Sequence, residues 1–209
     1  MFNICPNCGH YHVDKVVTHT PEGSFATCPA CEFDVPFVSL PLFCLTGPSG
    51  VGKSTIGYRL LQGFKEVVLI ETDLFWIDGI KGKAQELMLR VAKNVMQAGK
   101  PVVLEGTIIP EHLKDSVEKR YFRDIHYIVL TYTPEDTETR LKARPWWRSS
   151  GSEAYIQDHI NFNQWIEQNL VDHPQTLKHI HTSDYTIAET EEKVKEAIRG
   201  VMKTYKITE

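Results

Sequence analysis

An α/β domain built on a mostly parallel sheet, preceded by a small metal-stapled unit, is the architecture this sequence predicts. Three observations predict it. Apolar runs alternate with helical patterns from about residue 37 to the C-terminus. A glycine-rich phosphate loop follows the first apolar run. Four of the five cysteines form two Cys-x2-Cys pairs within the first 36 residues.

The 209 residues suffice for one sizeable α/β domain with a small appendage. Charged residues make up 24% and apolar residues 42%, which excludes wholesale disorder. No apolar run is long enough to span a membrane, and the N-terminus lacks a basic and apolar leader pattern. A cytoplasmic protein without membrane contact is therefore expected. The formal net charge of −4 gives no broad electrostatic footprint, so nucleic acid is not an expected partner.

Residues 1–36 are read as the first unit. One Lys stands against four acids there, a net −3, and long apolar stretches are lacking. Such a segment needs a staple to fold. Cys5, Cys8, Cys28 and Cys31 supply it, since two Cys-x2-Cys knuckles bring four thiolates to one tetrahedral ion. Zn²⁺ in a closed structural site is the first reading, and iron is the alternative because the ligand set is the same. The unit resembles a zinc ribbon. Its acidity points to a docking surface, a homodimer contact or a cover on the main domain rather than to phosphate contact. Cys44 lies in an apolar run and reads as a core thiol.

Residues 37–209 are read as the second unit. FVSLPLFCLT (37–46) reads as a strand buried on both faces, and VVLIE (67–71), PVVLE (101–105) and DIHYIVLTY (124–132) as three more. A weak strand is expected near 178–182. Helices are expected from the phosphate loop to Gly63, over about 83–98, 110–120, 152–170 and 187–202, and after Thr133-Pro134. In the last of these Thr133 reads as N-cap, Pro134 as first residue, and Asp136 as closing a capping box.

Gly47-Pro48-Ser49-Gly50-Val51-Gly52-Lys53-Ser54-Thr55 carries the chemistry. Its glycines let successive N–H groups face one anion, and the following helix presents its positive end there. Lys53 suits the β- and γ-phosphates, and the Ser54 hydroxyl suits Mg²⁺. Asp73, just past the second strand, falls in the crevice where open α/β sheets bind ligands, with an ordinary helix cap as the competing reading. No apolar run ends in Asp in the manner of a Walker B, and Glu105, at the end of the third strand, is the nearest substitute, suited to a substrate group or the Mg²⁺ hydration shell, with a buried strand-end acid satisfied by backbone N–H groups as the competing reading. Arg140, Lys142, Arg144 and Arg148 form a basic stretch, with Arg140 and Arg144 on one helical face. Pro145 and WWRSSGS follow, so 140–151 reads as a lid that closes over the transferring group.

These features together resemble P-loop small-molecule and nucleotide kinases, over roughly residues 37–205. The resemblance implies a five-stranded parallel core in the order 2-3-1-4-5 and transfer of the γ-phosphoryl group of ATP to a small acceptor, a nucleotide or nucleoside among the candidates. It makes Asp73 the acceptor or base position, Arg140 and Arg144 the lid arginines, and Thr182-Ser183-Asp184 the loop beside the adenine. Phe75 and Trp76 are candidates for stacking on a base, or core residues. A nucleotide-dependent regulatory module whose ribbon docks a partner is the alternative function.

Overall fold

In the computed structural model, residues 3–75 and 83–205 are described. Trp76 lies outside them. The N-terminal unit is a three-stranded antiparallel meander of β1 (Val16–Thr20), β2 (Gly23–Thr27) and β3 (Asp34–Phe37), in the order β1-β2-β3. One cysteine knuckle precedes β1, the other joins β2 to β3, and the two share one backbone pattern. Gly9 N–H donates to the Cys5 carbonyl and Glu32 N–H to the Cys28 carbonyl, each at 2.9 Å. The tight turn needs a positive φ at its last residue, +72° at Gly9 and +58° at Glu32.

The second sheet holds β4 (Leu42–Thr46), β5 (Val68–Glu71), β6 (Val102–Glu105), β7 (Ile125–Thr131) and β8 (Thr176–His181), all parallel. Their order, β5-β6-β4-β7-β8, is the expected 2-3-1-4-5 when the five are counted from β4. β4 is central and buried along its whole length. Phe43 and Leu45 face one core with α1 (Lys53–Gly63) and α6 (Ile187–Thr204). Leu42 and Cys44 face the other, with α2 (Ala84–Val95) and the later turns of α5 (Glu153–Asn169). Alternating side chains with both faces covered are what a central parallel strand requires.

Three local expectations need correction. The run from Phe37 to Thr46 is not one strand: Phe37 closes β3, and Pro41, which has no N–H, separates it from β4. The expected helix over 110–120 is two pieces, α3 (Pro110–Leu113) and a 3-10 turn over Val117–Tyr121, because the Ser116 hydroxyl caps the second at Glu118. At α4 (Pro134–Lys142) Thr133 does cap the helix by accepting from Asp136 N–H at 3.1 Å. The return bond of a capping box is replaced, since Thr133 N–H donates to the Ser183 hydroxyl at 3.0 Å. Asp136 is used by Arg140 and Ser183 instead. Such a box does form at Thr186 and Glu189, opening α6.

The ribbon packs on the body at the end of the sheet where the strands begin. Gln97 takes the Val38 N–H and donates to the Val38 carbonyl, both at 2.9 Å. His19 Nε2 lies 3.0 Å from the Arg120 carbonyl, Arg120 pairs with Asp14, and the Phe37 and Tyr121 rings meet edge-on at 5.3 Å. Beneath this contact Glu118, fully buried, holds Lys93 and Arg90. No helix among the described residues is long and apolar enough to cross a membrane.

Candidate active site and metal centre

The phosphate loop joins β4 to α1 at the end of the sheet opposite the ribbon. Its first turn leaves no room for a side chain: a Cβ at Gly47 would come within 2.4 Å of the Leu130 carbonyl oxygen on β7. Lys53 folds over the loop and donates to the Gly47 and Pro48 carbonyls at 2.9 and 2.8 Å. Burial lowers its pKa to about 8, with the charges of Glu105 and Asp73 opposing the fall and Arg144 adding to it. Ser54, in the first turn of α1, donates to Glu105 at 3.2 Å. Burial raises the Glu105 pKa, against the pull of Lys53 and Ser54.

A cavity of 410 Å³ opens between these groups and the arginine segment. Ser49, Gly50, Gly52, Lys53, Ser54, Thr55, Asp73, Glu105, Arg140 and Arg144 line it, so most of the residues singled out in the sequence converge here. Glu71, Thr107 and Arg148 join them. Arg144 Nη1 donates to the Ser49 hydroxyl at 2.8 Å. Arg140 is held by Asp136 and by the Thr182 hydroxyl, each at 3.0 Å, which places it at the rear of the loop.

A second cavity of 310 Å³ continues past Arg140. Val51, Ile56, Tyr185 and Ile187 give it apolar walls, with Thr182 and Thr190 beside them. Asp184 is not among its lining residues; its carboxylate is 64% exposed and lies 3.5 Å from His181. Gly47 likewise stays behind the loop, where it accepts from Lys53 and Thr107. Phe75 packs against the core rather than lining either cavity.

Sequence reading missed Tyr132, Tyr155 and His159. Tyr132 donates to the Ser49 carbonyl at 2.5 Å, and Tyr155 to the Ser49 hydroxyl at 3.5 Å. The only signal for the last two was their spacing of four on one helix, a pattern equally common on a solvated face.

In the ribbon, one sulfur from each knuckle approaches one from the other: Cys5 and Cys31 lie 3.7 Å apart, Cys8 and Cys28 3.8 Å. All four sulfurs fall within 4.8 Å of one another. Four thiolates about 2.3 Å from one tetrahedral zinc would stand about 3.8 Å apart, so the donor set fits the ion in number, chemistry and spacing. Cys31 is brought down to about 6, first by the Asn7 amide and then by the Phe33 backbone N–H. His19, near the hairpin turn of β1 and β2, is engaged with Ser24 and Arg120.

No family model matches the sequence, and no curated protein matches it in sequence. Solved structures do match in fold. A gluconokinase from Sinorhizobium meliloti 1021 is 14% identical with a TM-score of 0.56, over 81% of this chain and 98% of its own. A tunicamycin resistance protein from Deinococcus radiodurans is 17% identical with a TM-score of 0.52, over 77% and 96%. A shikimate kinase from Acinetobacter baumannii, in complex with shikimate, is 17% identical with a TM-score of 0.50, over 77% and 94%. At these identities the likeness is one of architecture. This chain has the fold of the P-loop kinases, extended by a four-cysteine, ribbon-like segment.

Proposed function

We propose that the protein is an ATP-dependent kinase that transfers the γ-phosphoryl group to a small-molecule acceptor, with nucleotides and nucleosides among the acceptor classes. The observation that carries this reading is the 410 Å³ cavity, which gathers a phosphate loop, two acids suited to acceptor and Mg²⁺, and the arginines of one short segment. A timer-like nucleotide switch has no need of so many convergent groups on the far side of the phosphate.

In this reading the loop amides of Gly50, Val51, Gly52 and Thr55 and the Lys53 ammonium hold the phosphates. Ser54 and Glu105 hold Mg²⁺, directly or through its water. Asp73 orients or deprotonates the acceptor hydroxyl, and Arg140 and Arg144 neutralise charge on the group in flight. Chemistry of this kind is positioning and electrostatics, consistent with turnover of order 1–100 s⁻¹. The adenine occupies the apolar second cavity beside Tyr185. Residues 38–209 form the kinase unit with a lid over 140–151. Residues 1–37 form a ribbon held by Zn²⁺, one residue beyond the expected boundary because β3 runs to Phe37. Thiolate ligation suits a reducing, cytoplasmic setting.

The alternative, a regulatory module whose ribbon docks a partner, is disfavoured by the ribbon's own contacts. The face carrying Asp14, His19 and Phe37 is taken by Arg120 and Tyr121 of the same chain. The deciding experiment is an acceptor screen with Mg-ATP across nucleosides, nucleotides, sugars and small acids, read as ADP release. Acceptor-dependent release supports the kinase. Release that no acceptor stimulates, with nucleotide-dependent capture of a protein partner, supports the alternative.

A further inference from the structure

Ser49, the third residue of the phosphate loop, is gripped from several sides. Its carbonyl accepts from Tyr132, and its hydroxyl accepts from Arg144 at 2.8 Å and from Tyr155 at 3.5 Å. A serine hydroxyl has two acceptor lone pairs and one proton. With both lone pairs engaged, the proton is left to donate, and Ser49 lines the 410 Å³ cavity beside Lys53.

Of these three groups Tyr155 is on α5, and the same face of α5 also supports Tyr132. Tyr155 is backed by the His159 ring, with centroids 4.4 Å apart. One turn further, buried Asn163 donates to the Tyr132 carbonyl at 3.0 Å and accepts the Tyr132 N–H at 3.3 Å. The Nδ1 of His159 is itself buried and makes no hydrogen bond among the described residues. Two cations act on this ring, Lys53 from α1 and Arg144 from beyond α4, with Asp158 opposing them from its own helix. Burial first, and then these cations, hold His159 below the usual histidine range, so its ring is neutral at neutral pH.

We propose that the Ser49 hydroxyl donates to the γ-phosphoryl group, and that Tyr155 and His159 are positioning residues that hold Ser49 and Arg144 for that contact. The inference rests on the kinase reading and extends it. Arg144 and Tyr155 polarise the Ser49 O–H toward the cavity. His159 sets the tilt of Tyr155 and fills the space behind it, so α5 reports its position to the loop through a hydroxyl rather than through a backbone shift. A phosphoryl group between Lys53 and Arg144 would cancel the repulsion these two exert on His159.

The test has a spectroscopic and a kinetic arm. His159 is titrated by NMR, free and with the Mg²⁺ complex of the non-hydrolysable β,γ-imido analogue of ATP, with His159→Gln assigning the signal. The expected result is an upward shift of its titration on loading, which Tyr155→Phe diminishes. In turnover, Ser49→Ala is expected to lower kcat about tenfold to a hundredfold with little change in the KM for ATP, and Ser49→Thr to restore most of it. Adding Tyr155→Phe to Ser49→Ala is expected to cost nothing more, since both act through one hydroxyl. A wild-type chain that does not bind the analogue overturns the kinase reading and this inference together. Binding with the His159 titration unmoved, or Ser49→Ala with kcat intact, overturns this inference alone.

Discussion

Ser54 donates to Glu105 at 3.2 Å, which ties the first turn of α1 to the end of β6. This contact joins the residue suited to Mg²⁺ with an acid buried beside the loop, Glu105 being only 3% exposed. The sheet enforces the pairing, because Glu105 is in register with Leu45 one residue before β4 ends.

Glu105→Gln is therefore expected to act through the metal. The amide keeps the size and can still accept from Ser54, but it loses the charge. Turnover is expected to fall about 10²-fold and the Mg²⁺ requirement to rise, with metal-free nucleotide binding little changed. ADP release measured across a Mg²⁺ series checks this; an unaltered Mg²⁺ dependence removes Glu105 from the metal site.

Lys53 gives a pH signature. Folded, it loses its proton near pH 8, whereas the unfolded ammonium keeps it to about 10.5. The unfolded chain thus binds more protons between those values. Lys53 opposes folding fully below about pH 8, and that opposition is relieved as pH rises through the window to about 10.5. Phosphates beside Lys53 restore the charged form, so nucleotide binding is expected to take up close to one proton near pH 9 and little near pH 7. Calorimetric titrations in buffers of different protonation heat measure this uptake. Lys53→Met is expected to abolish it, and Lys53→Ala to lower turnover about 10²-fold or more without unfolding the chain. Undiminished uptake in Lys53→Met would falsify the assignment.

Arg144 reaches the loop through Ser49, while Arg140 is spoken for by Asp136 and Thr182. Their substitutions are expected to differ accordingly. Arg144→Ala is expected to depress kcat about 10²-fold with a smaller change in the KM for ATP, and Arg144→Lys to recover only part, since a point charge does not replace a planar fork. Arg140→Ala is expected to lower kcat by less, since Asp136 and Thr182 hold its guanidinium at the rear of the loop, and to raise the KM for ATP through loss of the wall between the two cavities. Steady-state kinetics on the two variants decide it, and an Arg144→Ala effect confined to KM defeats the lid assignment.

For the ribbon, the expected metal content is one zinc per chain. Cys8→Ser or a strong chelator is expected to remove it and to unfold β1–β3, because structural zinc contributes on the order of 10 kcal/mol to folding in such small units. Elemental analysis and amide exchange over residues 16–37 check both halves. Protected strands in a metal-free chain with freely reactive thiols contradict the site.

The fold was legible because parallel strands buried on both faces read as continuous apolar runs, and because β4, the loop and α1 are consecutive in sequence. Lys53 and Ser54 could be placed for the same reason. Asp73 and Glu105 were legible from strand ends alone. The segment 110–120 was not, because Ser116 trades helix continuation for a local cap. The partner of Thr133 was missed because Ser183, fifty residues away, outcompetes Asp136 for its N–H. Tyr155 and His159 stayed hidden because what they touch is set by how α5 leans on β7 and the loop, and no local pattern encodes that.

The ribbon docks on Gln97, Arg120 and Tyr121, which follow it in the chain by roughly sixty to eighty residues. During synthesis, at about 5–20 residues per second, the ribbon emerges several seconds before the surface that will receive it. Over that interval the contacts with Gln97, Arg120 and Tyr121 cannot support it, and an ion held by Cys5, Cys8, Cys28 and Cys31 would have to do so. Metal supply would therefore act on this protein while it is being made: a ribosome working in a zinc-poor cell would release a body whose Phe37 and Tyr121 have yet to meet.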